Sequence, residues 1–177
     1  DSNVTGAQNG ATGSADDSVP GAGAVYVFTR SGVNWSQQAY LKAAVTGVNY
    51  NFGAALAVNG DTILVGQDND RSLATGVTMG TTASSDYSSG RVGSVYVFTR
   101  TTTNWTQEAY LKPHVKSALG AFGGAMDFDG DTIVVGQYRD FIVSTSIVNG
   151  PTVTNPTGAT YTNGSAFVFR KVSGSWV

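Results

Sequence analysis

The chain has no cysteine, one histidine (His114), one glutamate (Glu108) and four prolines in 177 residues. Without cysteine there are no disulfides, thiolate metal sites or Cys nucleophile. With a single histidine, beside Pro113 and at a position where the other copy of the internal repeat has Ala44, no Ser-His-Asp set can be assembled with any specificity. Charged residues are only 12% and the net charge is −2, with no basic run. The phosphate-neutralising surface that nucleic-acid binding needs is missing, as is a polybasic membrane patch. No apolar stretch approaches the roughly 18 residues of a membrane-spanning helix. No segment sustains the apolar period of a helix either.

What is present is repetition. Gly23-Ala-Val-Tyr-Val-Phe-Thr-Arg30 returns as Gly93-Ser-Val-Tyr-Val-Phe-Thr-Arg100, and in shortened form as Gly164-Ser-Ala-Phe-Val-Phe. Aligned without gaps, 23–70 and 93–140 share 26 identities in 48 positions. A period of about seventy residues marks a repeat architecture whose unit is one supersecondary module. The divisions are 1–22, an inter-repeat loop; 23–92 and 93–163, two repeats with long loops; and 164–177, the start of a third. They read as one continuous repeat domain.

Each repeat carries four short β-rich stretches, in the first copy 25–28, 38–41, 52–58 and 62–65. Asn59-Gly60-Asp61 and Asp129-Gly130-Asp131 are hairpin turns between apolar runs. Val25-Tyr-Val-Phe28 and Thr62-Ile-Leu-Val65 are apolar on both faces, as strands covered from both sides are. The expectation is an all-β fold of antiparallel four-stranded units stacked radially, about two and a half blades of a β-propeller. The chain opens inside a loop and closes at Ser175-Trp176-Val177, where the next Ala-Tyr-Leu-Lys strand is due. A longer parent protein or assembly between chains is expected to complete the blades.

Phe52-Gly53 with Gly66-Gln67-Asp68, and Phe122-Gly123 with Gly136-Gln137-Tyr138, resemble the Phe-Gly and Gly-Ala-Pro signatures of FG-GAP repeats, the second half degraded. Gly-Ala-Val-Tyr-Val-Phe followed by Trp and Ala-Tyr-Leu-Lys is similar to bacterial secreted FG-GAP proteins, relatives of the integrin α propeller. The resemblance implies an extracellular or cell-surface propeller serving adhesion, binding or scaffolding, with no enzymatic activity. Its partners would be protein or glycan at the cell surface, or further copies of itself. Two alternatives remain: a structural subunit of an extracellular filament or coat, and a non-catalytic targeting domain of a secreted hydrolase.

Many FG-GAP repeats hold Ca²⁺ in an acidic hairpin loop, which makes Asp127, Asp129 and Asp131 the candidate calcium ligands. Thr132 and Val135 stand where a cation loop would place Gly and its last carboxylate, so a plain hairpin turn is the competing explanation. Asp68-Asn69-Asp70 is a second acidic cluster at a strand end, and Asp16-Asp17 another; each is read as a solvated loop, with weak cation binding as the alternative. Trp35, Trp105 and Trp176 occupy equivalent positions and suit packing between units; glycan-stacking platforms are the alternative. Tyr87, Tyr138, Phe141 and Tyr161 lie in or beside the long Ser/Thr/Gly/Asn-rich insertions, where repeat packing does not require them. They are the candidate interface aromatics. Asn3, Asn34, Asn104 and Asn163 match the N-glycosylation acceptor pattern.

Overall fold

The computed structural model describes residues 4–10, 13–140, 146–150 and 163–177. Among them the only regular elements are strands: β1 Ala7–Asn9, β2 Val25–Ser31, β3 Asn34–Leu41, β4 Phe52–Asn59, β5 Thr62–Gln67, β6 Gly76–Met79, β7 Ser94–Thr101, β8 Asn104–Lys112, β9 Ala125–Asp129, β10 Thr132–Asp140, β11 Asn163–Val172 and β12 Ser175–Trp176. They form three antiparallel sheets, ordered β1-β3-β2, β4-β5-β7-β8-β6 and β12-β11-β10-β9. The all-β expectation holds. The expected four-stranded unit does not: the sheets have three, five and four strands, and they do not close into a ring among the described residues.

The extra strands come from the insertions. Strand β1 pairs with β3 (Ala7 opposite Leu41), and β6 pairs with β8 (Gly76 opposite Lys112). Each satisfies the N–H and C=O groups that an open sheet edge would leave unpaired. The insertions repeat too: 1–22 and 71–92 share eight identities at the same offset, including Gly6/Gly76 and Gly10/Gly80. Each sheet is thus a different portion of one five-stranded pattern. The first has no strand beside β2 among the described residues, the central one is whole, and the last ends in the two-residue β12. The central sheet draws β4 and β5 from one side of the 92/93 division and β7 and β8 from the other.

Successive sheets meet through matching contacts. Gly23 of the first sheet bridges Phe52 of the central sheet in parallel, and Gly93 of the central sheet bridges Phe122 of the last. The amides of Phe52 and Phe122 donate to Ala22 O and Val92 O, each at 3.0 Å. Gly23 and Gly93 have φ of +80° and +85°, and a Cβ on either would stand 2.1 or 2.2 Å from the Phe carbonyl oxygen. Only glycine permits both the dihedral and the approach. At the same joint a Cβ on Gly66 would stand 2.0 Å from Gly123 O. Phe52 stands edge-on to Tyr96 and Phe98 (5.5 and 6.1 Å between ring centres), and Phe122 to Phe167 and Phe169 at the same two distances. Edge-to-face pairs of this kind add to the area they bury.

The core consists of two layers between the sheets. Val25 and Val27 join Tyr96 and Phe98 in one; Val95 and Val97 join Phe167 and Phe169 in the other. Strand β7 therefore feeds both layers, and its Val95-Tyr-Val-Phe98 run is fully buried. This is the physical origin of the non-alternating pattern. The same positions open to solvent where a sheet has no neighbour: Tyr26 and Phe28 are each 52% exposed.

The pair Gly66 and Gly136 isolates the joint from strand propensity, because they are repeat equivalents. A Cβ on Gly136 would meet only Ala125 O at 3.6 Å and Ala125 Cβ at 3.7 Å. Gly66→Ala is expected to destabilise the fold by at least about 2 kcal/mol, and Gly136→Ala to change stability by less than about 0.5 kcal/mol. Urea unfolding of the two variants checks this; equal effects would contradict the close approach.

Candidate functional site

Three groups of side chains carry the chemistry of this surface. The first links the sheets. Gln38 Oε1, on the first sheet, accepts hydrogen bonds from Trp105 Nε1 (2.8 Å) and an Arg100 guanidinium nitrogen (3.1 Å). Glu108, its repeat equivalent, accepts from Trp176 Nε1 (3.3 Å) and Lys171 Nζ (2.5 Å). Arg100 and Lys171 also lie over the Trp105 and Trp176 rings, at 5.2 and 5.4 Å. Asn9 of β1 adds a two-way bond to the Trp105 backbone. Trp105 and Trp176 are 2% and 4% exposed, as a packing role demands, whereas Trp35 is 66% exposed. Glu108, the lone glutamate, is a latch residue, and Gln107 beside it is tied to the insertion at Gly80 O and Thr82 O.

The second group is buried. Asp70, read from sequence as part of a solvated cluster, is 3% exposed. Its carboxylate accepts from Tyr110 Oη (2.7 Å), Lys112 Nζ (3.2 Å) and the Ser72 amide (2.7 Å), which fastens the start of the insertion to the end of β8. Asp68 is the residue that stays outside, accepting from Asn51 Nδ2 at 3.2 Å. Burial lowers the Lys112 ammonium pKa, and Asp70 opposes that. Burial, then the Asp70 charge, raises Tyr110 and Tyr96 well above the usual phenol range, and Tyr50 to about 12. A signal for this cluster existed: Asp70/Asp140 and Lys42/Lys112 survive the repeat while neighbouring loop positions drift.

The third group lies in the insertions. Ser14 and Asp16 form a turn in which the Asp16 amide donates to Ser14 Oγ and the Ser18 amide to Asp16 Oδ1; Ser84, Asp86 and Ser88 repeat it. Hydrogen bonds from Ser88 hold the Asp86 carboxyl below the usual range. This turn presents Tyr87, half exposed and 5.9 Å from the Tyr50 ring. Nearby, Asn49 and Asn51 hold φ of +58° and +60°, and the Asn69 side chain donates to Asn49 O at 2.9 Å. Tyr138, exposed under the Arg139 guanidinium at 5.1 Å, lies apart on the last sheet. There it borders a shallow hollow of about 590 Å³ with Gly136, Gly164 and Ala166. Phe141 and Tyr161 lie outside the described residues.

The acidic hairpin is spread out. Asp127 and Asp129 are exposed on β9, opposite Val134 and Thr132 of β10, with Asp131 in the turn. Residues two apart on a strand have Cα atoms about 6.6 Å apart, and Asp131 lies past the strand end. No group of three His, Cys, Asp or Glu side chains that could hold a metal occurs among the described residues. His114 is half-buried, stacked 6.4 Å from the Phe169 ring, with its pKa lowered by burial. Asn34, Asn104 and Asn163 are exposed at strand starts; Asn3 lies outside the described residues. No helix among the described residues is long and apolar enough to cross a membrane.

No protein-family model matches the chain, and no curated protein matches it either. The FG-GAP resemblance therefore rests on the chain's own residues.

Two outcomes follow from the buried group. Asp70→Asn leaves the Lys112 ammonium buried without its counter-charge, and is expected to cost roughly 3 kcal/mol, read by urea unfolding. In alkali, phenols of the unfolded chain ionise near pH 10, while Tyr50, Tyr96 and Tyr110 keep their protons in the fold. Their contribution is complete below pH 10 and is lost as pH rises toward 12 and beyond. Lys42 and Lys112, lowered from 10.5 by burial, act in the opposite sense only up to that pH. Above pH 10.5 the thermal midpoint should fall, and absorbance at 295 nm should show the last tyrosines ionising together with unfolding. Ionisation of all eight tyrosines near pH 10 with the fold intact would contradict the burial.

Proposed function

We propose that this chain is part of an FG-GAP-like β-propeller that works outside the cell as a non-enzymatic adhesion or binding module. Its ligand is protein or glycan, taken by the rim of long insertions. The observation that carries this reading is the repetition of the whole joint. The Phe-Gly bridge, the Trp latch and the insertion strand recur in phase, so equivalent loops are delivered to equivalent strand ends. A contact set that recurs between successive sheets supports a reading as repeated blades. Equivalent loops of a repeat cluster on one face, which becomes the binding face. Tyr87, held out on an ordered Ser-Asp-Ser turn among small polar residues, has the composition of a binding loop. An extracellular location agrees with the low charge and the Ser/Thr/Asn-rich loops.

The test is a glycan array and a panel of extracellular-matrix proteins probed with the tagged chain and with Tyr87→Ala and Tyr138→Ala. Binding that Tyr87→Ala weakens at least about tenfold, a change of roughly 1.4 kcal/mol, is expected. Absence of any ligand, or binding indifferent to both substitutions, would remove the reading.

A further inference from the structure

The two ends of the array present opposite halves of its internal joint. On the first sheet, Tyr26, Phe28 and Trp35 are exposed at 52, 52 and 66%, while their equivalents Tyr96, Phe98 and Trp105 are buried against a neighbouring sheet. On the last sheet the far face is laid out by register. One row is Asp127, Val134 and Val168; the next is Ala125, Gly136 and Ala166. The equivalent rows of the central sheet contain Leu64 with Val97, and Gly66 with Val95; the four line the joint to the last sheet, where nothing can be added to Gly66. On the last sheet Val134 and Val168 are exposed instead, and a Cβ on Gly136 would meet only Ala125 at ordinary contact distance.

We propose that these end faces bind each other in successive copies of this chain, head to tail. The joint inside the chain supplies the rule. Val25 and Val27 meet Tyr96 and Phe98; Val95 and Val97 meet Phe167 and Phe169. Continued by one unit, Ala166 and Val168 meet Tyr26 and Phe28 of the next copy. Charge agrees with the pairing. Asp127 stands in the Val134 row where the central sheet has Ala57, and Asp129 lies on the same face. The opposing face has Arg30 paired with Trp35 on its strands and no acidic residue on β2 or β3. One end face is thus acidic and the other basic. Because the two faces differ, the contact is heterologous and propagates into a ring or an open filament. The proposal rests on the repeat array of the preceding reading and not on its ligand.

The experiment is light scattering of the whole chain over roughly a thousandfold range of concentration, with Phe28→Lys and Val168→Lys. Both positions are exposed, so neither change disturbs the core. The wild-type mass is expected to rise with concentration beyond a dimer, and to fall back with added salt. Each variant alone is expected to stay monomeric. A mixture of the two should give a 1:1 dimer and nothing larger, because one intact head meets one intact tail. A wild-type monomer throughout, a Val168→Lys chain that still dimerises, or a mixture that stays monomeric would each overturn the proposal. A wild-type monomer would instead assign both faces to further repeats. None of these results alters Tyr87-dependent ligand binding, so the two readings fail separately.

Discussion

Everything in this molecule hangs on places where backbone meets backbone with no room for a side chain. Gly23 and Gly93 touch the carbonyls of Phe52 and Phe122, and Gly66 touches that of Gly123. These approaches fix how far apart consecutive sheets stand. Once the spacing is set, the Phe rings reach the aromatic pair of their own sheet edge-on. The apolar side chains of β7 then fill both layers at once. The glycines do not stabilise by contact. They permit a distance at which many weak contacts become available together.

Neighbours, rather than identity, decide what each residue experiences. Trp35 and Trp105 have the same context in sequence and opposite fates in exposure, because only one of them has a sheet in front of it. The same holds for Tyr26 against Tyr96 and for Gly136 against Gly66. The polar latch follows suit. A neutral acceptor at 38 serves Arg100 and a charged acceptor at 108 serves Lys171, in one geometry and with two electrostatic strengths.

The long strands were legible because their chemistry is written twice. Val-Tyr-Val-Phe and Thr-Ile-Leu-Val announce burial on both sides, and Asn-Gly-Asp announces the hairpin. Strands β1 and β6 were not legible by pattern: Ala-Gln-Asn and Gly-Val-Thr-Met carry no alternation, and they are strands because an open edge recruits them. Only the repeat of Gly6 and Gly10 as Gly76 and Gly80 hinted at them. Asp70 misled because a carboxylate among Asp and Asn looks solvated; its partners, Tyr110 and Lys112, lie some forty residues away. The acidic hairpin was read from sequence both as a cation loop and as a plain turn; on the strand its alternate carboxylates form a row.

The phase of the repeat and the phase of the sheet do not coincide, and this bears on how such a chain can change over generations. Each sheet is finished with β-strands from the following unit, and both joints share one Gly–Phe bridge, Gly23 with Phe52 and Gly93 with Phe122. A gene segment of about one unit, duplicated or lost within the array, would restore an intact sheet and an intact bridge at its boundaries. Length can then vary by whole units while the bridge stays the same, and the latch residues and loops can diverge without a new scaffold.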